Sequence, residues 1–137
     1  MRHVFTPDEV DKLVPTLEEG LTKVQSILEH LRDARDQLAD LRIIWGTKVE
    51  EATCPDHEEY KLFLLQFQKY EAQLRTQLQT IHELGCEVKD PDVGLVDFYS
   101  EINGEPVLLC WKRGEPNVGF YHPLTGGFAT RKPLKPS

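Results

Sequence analysis

Apolar residues recur at heptad spacing through the first third of the chain: Val10, Leu17, Val24, Leu31, Leu38 and Trp45, with Leu13, Leu21, Ile27, Ala34 and Leu41 in companion positions. A seam of that period, held over about five heptads, predicts a long helix that pairs with another helix. Its start is marked by Thr6 as cap, Pro7 at the first helical position, and Glu9 three residues after Thr6, the pattern of a capping box. Pro15 lacks a backbone donor and predicts a kink in the first two turns. The helix is expected over 6–46, ending at Gly46. A second seam runs through Tyr60, Phe63, Leu64, Phe67, Tyr70, Leu74, Leu78, Ile81 and Leu84. It predicts a helix over 56–85, with Asp56 as cap and Gly85 as a left-handed terminator. Two long helices joined by roughly ten residues fold back as an antiparallel hairpin.

After Gly85 the apolar period falls to two, and a β-module is expected over 86–130. Asn103-Gly104 separates two β-rich runs, GLVDFYS (94–100) and PVLLCWK (106–112). That dipeptide predicts a two-residue type I′ hairpin loop, which sets the register. Ile102 then opposes Glu105, Ser100 opposes Val107, Phe98 opposes Leu109 and Val96 opposes Trp111, an apolar face that should pack on the helices. The other face sets Tyr99 against Leu108 and Asp97 against Cys110. A third strand is expected near 118–122. A five-residue loop before it would bring His122 and Phe120 to the Asp97/Cys110 face, and a four- or six-residue loop would turn His122 to the other. The fold class is therefore α+β: a long antiparallel two-helix hairpin with a small C-terminal antiparallel β-module of three to four strands, in a single domain over 1–137.

The hairpin is too apolar at one end for two helices alone. Leu62 and Leu65 fall outside the second seam, and Ile43 and Ile44 lie beside the end of the first, all near the connecting loop. Something else should cover them, and a homodimer forming a four-helix bundle is the expected cover, with docking of another protein as the alternative. Charge adds an exclusion. The net charge is −7, and residues 1–90 carry all of it, eleven basic against eighteen acidic, while residues 91–137 balance at five each. An acidic helical half argues against nucleic acid. Neither a leader-like apolar segment nor a long apolar run is evident, so no membrane segment is expected and the default location is the cytoplasm. Cys54, Cys86 and Cys110 are odd in number and form no CxxC pair, which disfavours a zinc ribbon or disulfide framework and suits a reducing compartment.

Both ends of the chain resemble a known family. FTPDEVDKLVPTL (5–17), GLVDF (94–98), LLCWKRGE (108–115), YHP (121–123) and GGFATRKPL (126–134) are similar to a bacterial family known as domain of unknown function 2203. Tyr121 stands where that pattern has Trp, and Val10-Asp11 where it has Ala-Asn. The resemblance implies no activity. It implies only that Asp97, Cys110, Trp111, Glu115, His122 and Arg131 are the positions to weigh.

Among these, Asp97, Cys110, Glu115 and His122 are candidate metal or small-ligand residues, since thiolate, imidazole and carboxylate all ligate Zn²⁺ or Fe²⁺. Cys-x11-His is not a diagnostic spacing. The competing structural account makes Cys110 a small core hydrophobe, Glu115 a turn residue and His122 a hydrogen-bonding partner, and it is the favoured one. A Cys110/His122/Asp97 catalytic set is disfavoured: Cys110 is not at a helix N-terminus, and no glycine-rich oxyanion loop follows it. Trp111 reads as a core anchor and Arg131 as a pin for the tail through Glu115 or Asp97. His30, His57 and His82 read as solvated helix-surface residues. The sequence thus points first to a non-enzymatic interaction or assembly role as a homodimer, and second to a metal- or ligand-binding protein using the β-module.

Overall fold

A computed structural model describes residues 2–134. The long helix α1 spans Pro7–Trp45 and the second helix α2 spans His57–His82. Five strands follow: β1 Glu87–Asp90, β2 Leu95–Ile102, β3 Glu105–Lys112, β4 Phe120–Pro123 and β5 Lys132–Pro133. They form one antiparallel sheet in sequence order. Two strands more than the minimum expectation are present because both edges are short: β1 bulges between Val88 and Asp90, and β5 has two residues. Short, irregular edges leave little backbone open to foreign strands.

The chain divides into two compact units, residues 24–76 and residues 1–23 with 77–137. The first holds most of both helices and their connection. There Leu41, Val49 and Tyr60 are buried, with Leu38, Trp45, Cys54, Phe63 and Leu64 packed against them. The link is more ordered than a loop of ten residues suggests. A 3₁₀ turn over Gly46–Glu50 buries Val49, and His57 Nδ1 lies 2.9 Å from the Val49 carbonyl oxygen. His57 is therefore a structural tie, and His30 stacks on Tyr70 with ring centroids 5.0 Å apart. Asp56 does not cap α2 with its side chain; its carboxylate accepts from Trp45 Nε1 at 2.8 Å. Helix α2 starts one residue after the expected position and stops at His82, with residues 83–85 in a turn. Ile43, Ile44, Leu62 and Leu65 are exposed.

The second unit joins the start of α1, the end of α2 and the sheet. The capping box forms as expected: Thr6 Oγ1 accepts from Glu9 N at 3.2 Å and Glu9 Oε1 accepts from Thr6 N at 3.1 Å. Helix α1 continues unbroken through Pro15. Val10, Val14, Leu17 and Leu21 are buried, as are Ile81 and the sheet residues Val96, Phe98, Leu109 and Trp111. At Gly20 the two helices approach closely: a Cβ there would sit 3.1 Å from Ile81 Cγ1. Two acidic residues of α1, spaced seven apart, hold the connection between β3 and β4. Asp11 accepts from Val118 N at 2.7 Å and Glu18 from Gly114 N at 2.8 Å. The N-terminal segment is tied to β2 by Phe5 N donating to the Tyr99 carbonyl at 2.9 Å and Ser100 Oγ donating to the Phe5 carbonyl at 2.5 Å. Among the described residues no helix is long and apolar enough to cross a membrane.

Gly85 has φ +100°, and a Cβ built there falls 2.6 Å from Phe5 Cζ. An L side chain is strained at that φ and also meets a ring that is itself packed on Phe98. Gly85→Ala should destabilise the protein by about 2–3 kcal/mol, lowering the urea midpoint with an unchanged slope. Phe5→Leu in the same background should relieve the clash and leave the backbone cost, so the two changes should be less than additive.

Candidate functional site

The Asn103-Gly104 turn has φ +53° and +80°, the two left-handed residues of a type I′ loop. It produces the expected register without a slip: Val96 faces Trp111, Phe98 faces Leu109, and Asp97 faces Cys110. Trp111 is fully buried and its Nε1 donates to the Glu115 carbonyl at 3.0 Å. The connection from β3 to β4 covers residues 113–119, and its odd length sets Cys110 against Phe120 and Leu108 against His122. His122 therefore lies on the face of Asp97 and Cys110, the outcome expected of an odd-numbered loop.

That face is not left to solvent. Asp97, Cys110 and His122 are 3%, 0% and 1% exposed. The C-terminal segment covers the β4 side: the Arg131 guanidinium lies 3.7 Å from the Phe120 ring centroid and 4.7 Å from that of Phe128. Arg131 Nη2 donates to Glu115 Oε2 at 2.5 Å, while Glu115 Oε1 accepts from Lys112 N at 2.7 Å. Arg131 thus pins the tail through Glu115, as the sequence suggested. Both oxygens of Glu115 have partners outside the cluster, so Glu115 does not join the other three candidates.

The remaining three converge. One ligand atom from each of Asp97, Cys110 and His122 lies within 4.8 Å of the others. His122 Nε2 is 3.1 Å from both carboxylate oxygens of Asp97, and His122 Nδ1 is 2.8 Å from the Pro123 carbonyl oxygen. A carbonyl oxygen only accepts, so Nδ1 carries the proton of that bond and Nε2 faces the carboxylate. Both ring nitrogens are engaged without Cys110, which leaves the imidazole no atom to serve as base for the thiol. Burial, first of all, pushes the Cys110 thiol up to about 12; the Asp97 charge adds to this, Arg131 opposes it, and the Asp97 hydrogen bond and Glu115 charge add again. The thiol is protonated at neutral pH and is no ready nucleophile. The arrangement fits ligation better than catalysis by cysteine. Around a tetrahedral Zn²⁺, donor atoms sit roughly 3.3–3.6 Å apart, given bonds of about 2.0–2.3 Å. The N–O separation of 3.1 Å is already near that range, and the sulfur lies within 4.8 Å of both other ligand atoms.

An open cavity of about 310 Å³ borders this cluster, and Asp97 lines it together with Arg2, Phe5, His82, Tyr99 and Leu108. Sequence reasoning missed its walls, since Phe5 is held to β2 by the Tyr99 carbonyl and the Ser100 hydroxyl, and Arg2 lies over the Tyr99 ring. The roles of Asp11 and Glu18 carried a usable signal, because acidic residues seven apart share one helix face.

Two buried thiols give the metal-free protein an alkaline limit. Cys86, like Cys110, is pushed by burial from its ordinary value of 9.0 up to about 12. Both are raised in the folded state, so the stability they confer is complete below pH 9 and is lost as pH climbs toward 12. Chemical denaturation between these limits should show each thiol costing about 1.4 kcal/mol per pH unit. Cys110→Ala should remove about half of that thiol-dependent slope, whatever it does to stability at pH 7.

A family model described as an uncharacterized conserved protein (DUF2203) matches residues 3–134. No curated protein and no solved structure matches the chain. With the match running from the segment that lines the cavity to the strand that closes the sheet, the chain belongs to the DUF2203 family.

Proposed function

We propose that this protein binds a divalent metal ion of borderline softness, Zn²⁺ or Fe²⁺, between Asp97, Cys110 and His122. The observation that carries the reading is the way His122 is held. Its Nδ1–H is committed to the Pro123 carbonyl, so the neutral ring turns the Nε2 lone pair toward both oxygens of Asp97 at 3.1 Å. Two acceptors at that distance repel unless a cation lies between them. The cation is either a proton, giving a buried imidazolium–carboxylate pair, or a metal. Cys110 favours the metal: a proton shared between Asp97 and His122 needs no thiol at the third corner, whereas a borderline ion uses one. A backbone carbonyl that fixes the tautomer is also the usual outer-shell support of a ligating histidine. The three unpaired cysteines accord with a reducing compartment such as the cytoplasm.

Protein purified without a histidine tag should carry about one Zn or Fe per chain by elemental analysis. Cys110→Ser should weaken binding by at least about 100-fold, since even an outer-shell change costs 10–100-fold. Substoichiometric metal in the wild type, after supply of Zn²⁺ and Fe²⁺ and with Cys110→Ser behaving the same, would leave a buried ion pair and end the reading.

A second reading rests on a separate observation. Ile43, Ile44, Leu62 and Leu65 are 82%, 67%, 52% and 63% exposed, four large apolar side chains at the hairpin connection. A second copy offers the same patch in return, as a two-fold interface requires. Sedimentation should show a dimer that Leu62→Glu or Leu65→Glu shifts toward monomer. Wild-type sedimentation of both variants would remove the tip as the interface.

A further inference from the structure

We infer that the cavity beside Asp97 binds a small organic carboxylate, which completes the coordination shell of the ion proposed above; the inference rests on that reading. The first step is ligand number. Three protein donors leave at least one place open on Zn²⁺ or Fe²⁺, and sites with three protein ligands are the ones that take up an exchangeable group. The second step is access. Toward β4 the cluster is closed by Phe120 with Arg131 stacked on it, and Arg131 is held there by Glu115. Below lies the sheet itself. On the remaining side Asp97 is both a member of the cluster and a wall of the cavity. Tyr99 and Leu108, also cavity walls, stand in register with each other, and Leu108 with His122, so these two walls and the cluster share one face of the sheet.

The ligand class follows from what lines the space. A divalent ion held by the Asp97 carboxylate and the Cys110 thiolate is electrically neutral as a unit. Of the other polar groups on the cavity wall, His3 is 2.7 Å from Glu9 and Glu87 is 3.2 Å from Lys89, and His82 adds an imidazole. The Arg2 guanidinium carbon lies over the Tyr99 ring, 4.9 Å from its centroid, and among the described residues no carboxylate lies within ion-pair distance of it. A guanidinium without a carboxylate partner has N–H groups to offer a planar anion, and its fork matches a carboxylate. The wall therefore offers one positive charge, which suits a monoanion. Phe5, Tyr99 and Leu108 offer an apolar surface for the body of the ligand. A volume of about 310 Å³ is at the small end of the range for ligand sites and leaves no room for a nucleotide. Inorganic phosphate lacks the apolar body and brings a second charge.

The test uses the full chain loaded with Co²⁺. Thiolate-to-cobalt charge transfer reports coordination by Cys110, and the d–d bands report exchange of the remaining ligand. Propionate at millimolar concentration should shift the d–d bands saturably, with phosphate binding more weakly. Arg2→Gln, on an exposed side chain, should weaken propionate by about tenfold while leaving the charge-transfer band and Co²⁺ affinity unchanged. The inference is overturned if propionate leaves the d–d bands unmoved, if phosphate binds as tightly as propionate, or if Arg2→Gln binds propionate like the wild type. In each of those cases the charge-transfer band shows the metal reading still standing. Absence of that band in the wild type defeats the metal reading itself, and the carboxylate with it.

Discussion

The arrangement of the β-module depends on two consecutive left-handed residues. Asn103 and Gly104 turn the chain with φ +53° and +80°, and a two-residue loop of that kind admits only one register for the strands it joins. A slip of one residue would exchange the faces of β2 against β3. Trp111 and Phe98 would then leave the layer under the helices, and Asp97 would no longer oppose Cys110. The same turn therefore decides the hydrophobic core and the polar cluster together. Parity then passes to β4 through the seven residues 113–119, which the side chains of Asp11 and Glu18 hold by two backbone N–H groups. Helix α1 thus takes part in placing His122 without touching it.

Much of this was legible because it rests on local rules. The capping box at Thr6 and Glu9, the heptad seam and the Asn-Gly turn each act within a few residues, and each appears where the pattern places it. The parts that were not legible depend on contacts between distant segments. Strand β1 lies in Glu87–Asp90, which has no clear alternation, and it exists because β2 offers an edge. Asp56 looked like a helix cap, yet an indole eleven residues away captures its carboxylate. Glu115 looked like a fourth ligand because it is a carboxylate in the resembling motif, but Lys112 N and Arg131 take its two oxygens. The cover over the face of Asp97 and Cys110 was not legible, because the segment that provides it, with Phe128 and Arg131, has no periodicity to announce it.

The tail also acts on the chemistry of the cluster. Arg131 brings a positive charge near a cluster that already holds a carboxylate and a thiol, and its field favours the thiolate while burial and Asp97 oppose it. The opposition wins in the metal-free protein, so the sulfur keeps its proton. A divalent ion reverses the balance, because it is a larger and closer charge than any side chain and deprotonates a coordinating thiol outright. Were a metal held here as proposed, its uptake would release that proton, and its affinity would depend on how well the tail keeps water and competing anions away from the sulfur.

Energetics separate the two accounts of the cluster. As an ion pair alone, His122 and Asp97 would lose two hydration shells and recover one charge-assisted contact, an exchange that contributes little net stability and that apolar residues of the same volume often improve upon. Cys110 would add the packing of a small hydrophobe and a weak thiol hydrogen bond to Asp97. As a ligand set, the same three residues lie on β2, β3 and β4 in adjacent order, so an ion held by all three crosslinks the central strands of a sheet whose outer strands have four and two residues. Binding energy at a site of that kind is folding energy, because the unfolded chain does not present the ligands together. The placement that costs stability without an ion is the placement that would yield most with one, and on the proposed reading an ion would account for the polar residues in the middle of this face.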